Sequence, residues 1–173
     1  MTRVKLILAD TDFRECIAQN CTREADRKFC GHNLQHMVDV ARIAYILMLE
    51  GRQIEQFMEE CDINQKLAKE VIYAAALLHD IGRWLEYETG ADHAAISAGL
   101  APDILKRAGY YEPEISVITT AIMEHRRPQG QKSMLGACLY KADKLSRMCS
   151  HCDASGDCYK IDEMETLRET LIY

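Results

Sequence analysis

Long apolar runs are missing from this chain. The longest, residues 71–78, is far too short to cross a bilayer, which argues against a membrane-spanning helix. Nothing at the start reads as a secretory signal, because Thr2-Arg3-Val4-Lys5 leads into only a brief apolar stretch. The expected location is therefore cytoplasmic. Proline and glycine are scarce, three and nine among 173 residues, while Ala, Leu, Ile, Met, Glu and Lys are plentiful, a balance that favours helices. A basic surplus is missing too. The net charge of −6 makes nucleic acid an improbable partner, since sequence-independent binding needs a basic face. A small phosphorylated substrate stays possible, because metal ions can supply positive charge locally. Cysteine is the exception to this scarcity. Eight thiols in a cytoplasmic chain are expected to be reduced, with metal as the alternative where they cluster. The length and the 48% hydrophobic content suit one domain over residues 1–173, with a core that needs no disulfide or structural metal.

No repeat, low-complexity tract or linker divides the chain. Residues 4–8 could pass for a strand, but a helix is favoured there as well. Residues 12–30 read as helical with Gly31 as the stop, and Asn33 caps a helix to Glu50 that Gly51 closes. A short helix over 54–60 follows, then one capped by Asn64 and running through Leu78. A polar turn at Glu88-Thr89-Gly90 precedes a helix over 92–100, and Pro102 and Pro113 each open a further helix, toward Ala108 and His125. Ser133 starts a helix to about Met148, and the polar, Cys-containing tail over 149–173 turns helical again from Asp162. The fold class expected is all-α, a helical bundle.

The apolar faces of these helices carry residues that do not belong in a plain core. His36 lines up with Val40, Ile43 and Leu47, and His93 precedes Ile96, Ser97 and Leu100. His79 follows Ile72, Ala75 and Ala76 at seven, four and three residues, and His125 follows Ile118, Ala121 and Ile122 at the same offsets. Asp143 follows Gly136, Leu139 and Tyr140. A single histidine so placed is more often a hydrogen-bonded core residue, and an aspartate such as Asp80 can simply cap a turn near Gly82. Buried carboxylates cost several kcal/mol unless paired or bound to a cation. The set as a whole therefore points to a shared metal.

The run Ala75-Ala76-Leu77-Leu78-His79-Asp80-Ile81-Gly82-Arg83 resembles the signature of the HD superfamily of metal-dependent phosphohydrolases. His36 upstream, and Asp143 within Lys141-Ala142-Asp143-Lys144-Leu145, match the other two ligand positions in order, so that the resemblance covers about residues 32–147. It implies an HD-domain helical bundle in which His36, His79, Asp80 and Asp143 hold a first metal. His93 and His125 resemble additional histidines that in some HD subgroups hold a second metal and in others contact phosphate. Imidazole and carboxylate donors suit Mn, Fe, Ni, Co or Zn, as one or two ions. Asp80 is the natural carboxylate to be shared if there are two. The implied activity is hydrolysis of a phosphoester of a nucleotide or related small metabolite by metal-activated water. Arg83 and Lys144 are candidates to hold the phosphate, with solvated surface cations as the plain alternative.

Three further features stay open at the sequence level. Cys149, Cys152 and Cys158 have a metal-like first spacing but lack the fourth ligand of a tetrahedral site, which His151, Cys30 or another distant thiol could supply. Ordinary reduced cysteines are the reading favoured there. His32, one turn before His36, either hydrogen-bonds near the site or is exposed. Arg126 and Arg127 read as surface residues, with an anionic ligand as the alternative. Specificity is expected in residues 84–90 and 127–132, and the oligomeric state is not legible. Rival roles are a metal- and nucleotide-binding sensor without turnover, or a structural metal domain. Keeping every ligand position of the motif favours the enzyme.

Overall fold

The computed structural model describes residues 1–126 and 132–169. Among these residues there are helices and turns and no strand, in the order α1 (Thr2–Ala9), α2 (Thr11–Arg23), α3 (Leu34–Glu50), α4 (Ile54–Cys61), α5 (Gln65–Leu78), α6 (Arg83–Thr89), α7 (His93–Arg107), α8 (Glu112–Glu124) and α9 (Met134–Leu145). Four single 3-10 turns follow between Cys149 and Leu167. No helix among the described residues is long and apolar enough to cross a membrane.

Side-chain caps set the starts of the helices that matter for the site. Asn33 accepts from His36 N, Asn64 from Leu67 N, Asp92 from Ala94 N and Ser133 from Gly136 N. The central element is α5, buried on nearly every face from Ala68 to Leu78. Its run Ala74-Ala75-Ala76 has no bulk, which lets α3 pack closely along it while α8 and α7 cover other sides. Met37, Met48, Ile72, Leu77, Leu78, Ile104 and Ile118 fill the space between these helices and are almost wholly buried. Arg3 staples the rim, donating to Glu70 on α5 at 2.7 Å and to Glu114 on α8 at 2.8 Å.

Four boundaries differ from the sequence-based expectation. Helix α2 stops at Arg23 and does not reach residue 30, because Glu24 turns its carboxylate back to accept from His32 N at 2.6 Å. The polar residues 88–90 do not form a free turn: α6 runs from Arg83 to Thr89 and ends only at Gly90, whose φ of 74° is a glycine conformation. Pro102 lies inside α7 and does not open a new helix. One backbone hydrogen bond is lost there, yet the buried seam of Ala98, Ala101, Ile104 and Leu105 keeps the helix continuous. After Asp162 the chain makes 3-10 turns where a longer helix was expected.

Gly82 marks the closest approach. A Cβ there would stand 2.6 Å from Ile96 Cγ2 and 2.8 Å from Ser97 N, so the turn after α5 is pressed against α7. Ser97 Oγ, itself buried, accepts from Gly82 N at 2.9 Å. Gly82→Ala is therefore expected to destabilise the protein by about 1–3 kcal/mol through overpacking against main chain. Thermal unfolding should show a midpoint several degrees lower, and an unchanged midpoint would mean that the two elements separate freely.

Candidate metal centre

The turn after α5 presents His79 and Asp80, and the neighbouring elements aim at them. His36 comes from the first turn of α3, His93 opens α7, His125 caps the end of α8, and Asp143 sits in the last turn of α9. His32, in the connection before α3, joins them and is buried at 6% exposure. Asp80 is buried as well. Its main chain is held by Asn20, fully buried on α2, which donates to Asp80 O at 2.9 Å and accepts from Trp84 N at 2.8 Å.

Each imidazole is anchored through Nδ1. His79 Nδ1 donates to Ala76 O and His125 Nδ1 to Ile122 O, both at 2.6 Å. His93 Nδ1 donates to Glu86 Oε2 at 2.8 Å, and His32 Nδ1 is paired with Glu24. His36 Nδ1 donates to Ser146 Oγ at 3.1 Å, since that hydroxyl spends its own proton on Asp143 O at 2.7 Å. Fixing the Nδ1 proton leaves Nε2 as a lone-pair donor, the arrangement that metal-ligating histidines use.

All of these Nε2 atoms point at the Asp80 carboxylate. On its Oδ2 side lie His79 at 3.1 Å, His32 at 3.7 Å and His36 at 3.8 Å, and on its Oδ1 side His93 at 3.1 Å and His125 at 3.6 Å. Asp143 Oδ1 approaches His36 Nε2 to 3.2 Å. Two donor sets, each gathered within 4.8 Å, result: His36, His79, Asp80 and Asp143, and Asp80, His93 and His125. Asp80 belongs to both. Lone pairs facing carboxylate oxygens repel one another unless a proton or cation lies between them. His79 Nε2 and Asp80 Oδ1 are moreover buried without any hydrogen-bond partner. This donor set fits a divalent cation.

The electrostatics agree. Burial by itself would lower the His79 pKa, but the carboxylates of Asp80 and Asp143 raise it to about 10. Burial would raise the pKa of Asp80, yet His79 and the other imidazoles hold it well below the ordinary carboxylate range. Asp143 behaves likewise through His36, His79 and Arg147. A proton on His79 takes the place a cation would fill.

The remaining expectations divide. Arg83 lies beside the centre, Nη1 being 2.8 Å from His93 Nδ1 and paired with Glu86. Lys144 does not: although next to Asp143 in sequence, it pairs with Glu163 at 3.4 Å and lies over the Tyr140 ring, on a different face of α9. Arg126 is half exposed and bridges Glu86 at 2.6 Å and Asp92 at 3.0 Å. Arg127 and the specificity segment to residue 131 lie outside the described residues. Sequence reasoning missed Asn20, Glu24, Glu86, Ser146 and Arg147. Arg147 Nη2 reaches His36 Nε2 at 2.9 Å and Asp143 Oδ1 at 3.3 Å, and its other nitrogen donates to Gly31 O. Ser146 and Arg147, one turn beyond Asp143, had a readable helical offset, whereas Glu24 and Glu86 reach their partners across irregular chain.

Comparison with known proteins bears on this geometry. A family model described as HD domain matches residues 33–148. The chain is 39% identical over 168 residues to an uncharacterised protein of Clostridium beijerinckii, which covers 97% of this chain and 98% of that one. It is 34% identical over 112 residues to ribonuclease Y of Pelobacter propionicus, covering 65% of this chain but only 17% of that enzyme. Among solved structures it is similar to a predicted HD superfamily hydrolase from an uncultured Thermotogales bacterium. That match has a TM-score of 0.51 and 29% identity, and covers 76% of this chain and 66% of the other. The helical architecture, the ligands in motif order around Asp80 and a family match spanning α3 to α9 place the chain in the HD domain family, within the HD hydrolase superfamily.

Proposed function

We propose that this protein is a metal-dependent phosphohydrolase that cleaves a phosphoester of a nucleotide or related small phosphorylated metabolite by metal-activated water. The observation that carries the reading is the convergence of anchored Nε2 lone pairs on one buried carboxylate, with His79 Nε2 and Asp80 Oδ1 left unpartnered. One or two ions of Mn, Fe, Ni, Co or Zn suit the donors. When bound, such a cation supplies a Lewis acid for a phosphoryl oxygen and lowers the pKa of its water toward about 7.

The residues divide the remaining work. His36, His79, Asp80 and Asp143 form one ligand set, and His93 and His125 share Asp80 as the second. Ala76 O, Ile122 O, Glu86 and Ser146 keep the rings in the ligating tautomer. Asp143, with a side chain 30% exposed, marks the side open to solvent. A cleft of about 270 Å³ opens beside His36, lined also by Asn33, Gln35, Asp39, Ser146 and Arg147. Arg147 at this cleft and Arg83 beside His93 are the cations placed to hold phosphate. Lys144 is not assigned this role.

Purified protein is expected to hydrolyse some member of a panel of phosphorylated metabolites and short RNA oligonucleotides, releasing phosphate from a monoester or shortened products from RNA. Turnover should stop on chelation and return when Mn, Fe, Ni, Co or Zn is restored. Activity that persists after metal removal has been verified would end the catalytic reading. Nucleotide binding with metal but no turnover of any substrate would favour a sensor.

A further inference from the structure

The tail beyond α9 is poorly suited to hold itself in place. Its described residues, up to 169, form only 3-10 turns, and the buried ones among them are Cys149, Ala154, Met164 and Thr166, too few for an independent core. It is nevertheless tied to the connection after α2 on both sides of Cys30. Lys28 Nζ reaches Asp157 Oδ2 at 2.6 Å, next to Cys158, and Arg147 Nη1 donates to Gly31 O at 2.7 Å, two residues before Cys149. Cys30, Cys149 and Cys152 consequently line one cleft, beside His36. Cys158 directly follows Asp157, the residue held by Lys28, which itself stands two positions from Cys30. Burial raises the pKa of the Cys149 thiol, the Thr166 hydroxyl opposes that, and Cys30, Cys158 and Cys152 add to the rise. All four are free thiols. Thr166 is buried beside Cys149, and its hydroxyl donates toward that sulfur, which favours the thiolate.

From this convergence we infer that Cys30, Cys149, Cys152 and Cys158 form a second, separate metal site of four thiolates that clamps the tail against the body of the protein. Four soft sulfur ligands select zinc or an iron–sulfur cluster over the cations suited to the imidazole and carboxylate centre. The fourth ligand missing from the Cys149-Cys152-Cys158 spacing is Cys30. His151 is not a ligand: it is exposed, with its ring 3.0 Å from Ser150 Oγ. The sulfurs are less tightly gathered than the donors around Asp80, for no donor set within 4.8 Å among the described residues includes a cysteine. Loading therefore draws the tail inward onto zinc or encloses a larger cluster. Because Arg147 stands two residues before Cys149 and touches His36 and Asp143, the clamp also secures one wall of the hydrolase cleft.

The test uses the full chain purified without oxygen, with zinc, iron and acid-labile sulfide measured in the wild type and in Asp80→Ala, Cys30→Ser, Cys152→Ser and His151→Ala variants. Expected is a metal component that survives Asp80→Ala and His151→Ala but is lost in both cysteine variants. It should amount to about one zinc equivalent, or else to iron with matching sulfide and visible absorption. Cobalt(II) supplied to the zinc form should show a sulfur-to-metal charge-transfer band that also depends on Cys30. Thiol labelling of the wild type covers variants that fail to fold: the four cysteines should be protected and should become reactive on chelation. Thiol-bound metal unchanged by Cys30→Ser, or four thiols that react freely with or without chelator, would overturn the site.

Discussion

Asp80→Ala is expected to yield a helical protein that holds little metal at the His–Asp centre and has lost turnover by about 10³-fold or more. The size follows from two numbers: a bound cation contributes several kcal/mol of transition-state stabilisation, and each 1.4 kcal/mol is a factor of ten. Asp80 is singled out because both donor sets include it, so its loss weakens both. The fold should survive because Asn20 holds the main-chain oxygen of Asp80 and not its carboxylate, and Ser97 holds the next turn through Gly82 N. Some stability is lost with the counter-charge that supports a protonated, buried His79. Metal analysis, far-ultraviolet circular dichroism and phosphate release on one preparation decide the matter. A variant with full metal and full activity would show that Asp80 is not a ligand.

The paired change His93→Ala/His125→Ala separates two forms of the proposed mechanism. Both imidazoles lie on the Oδ1 side of Asp80, with their Nε2 atoms 3.3 Å apart, whereas His36, His79 and Asp143 occupy the other side. The outcome expected is a fall of about one metal equivalent, with turnover reduced by several orders of magnitude, because a second cation would no longer share in activating water and phosphate. Equal metal content in the variant and the wild type would overturn the two-ion form and leave a single ion with histidines that hydrogen-bond phosphate. Both side chains are buried, so alanine also leaves cavities costing about 1–3 kcal/mol. The paired glutamine variant, which keeps most of the volume, shows whether lost activity follows lost ligands or lost packing.

Helical periodicity is local, and what depends on it could be read from the chain. The caps at Asn33, Asn64 and Ser133, the span of α5, and the placement of His36, His79, His93, His125 and Asp143 on inward faces all rest on offsets within one helix. In sequence Arg83 lies one turn beyond the His79-Asp80 pair and Lys144 lies next to Asp143, but a helix turns roughly 100° per residue, so adjacency does not place a side chain on the same face. Tertiary packing puts Arg83 against His93 and sends Lys144 toward Tyr140 and Glu163.

The partners of the site residues were settled only in three dimensions. Glu24 reaches His32 across eight positions of non-helical chain, Asn20 reaches Asp80 across sixty, and Cys30 meets the tail more than a hundred residues later. None of these separations carries a period, because each is made by helices that pack around α5 and not by the geometry of one helix. The sequence by itself therefore determined that the chain is helical, and it offered the candidate donors. The packing of α2, α3, α7, α8 and α9 around the turn at Asp80 decided which way each ring faces, which oxygen it meets, and that Cys149 and Cys152 share a wall with His36.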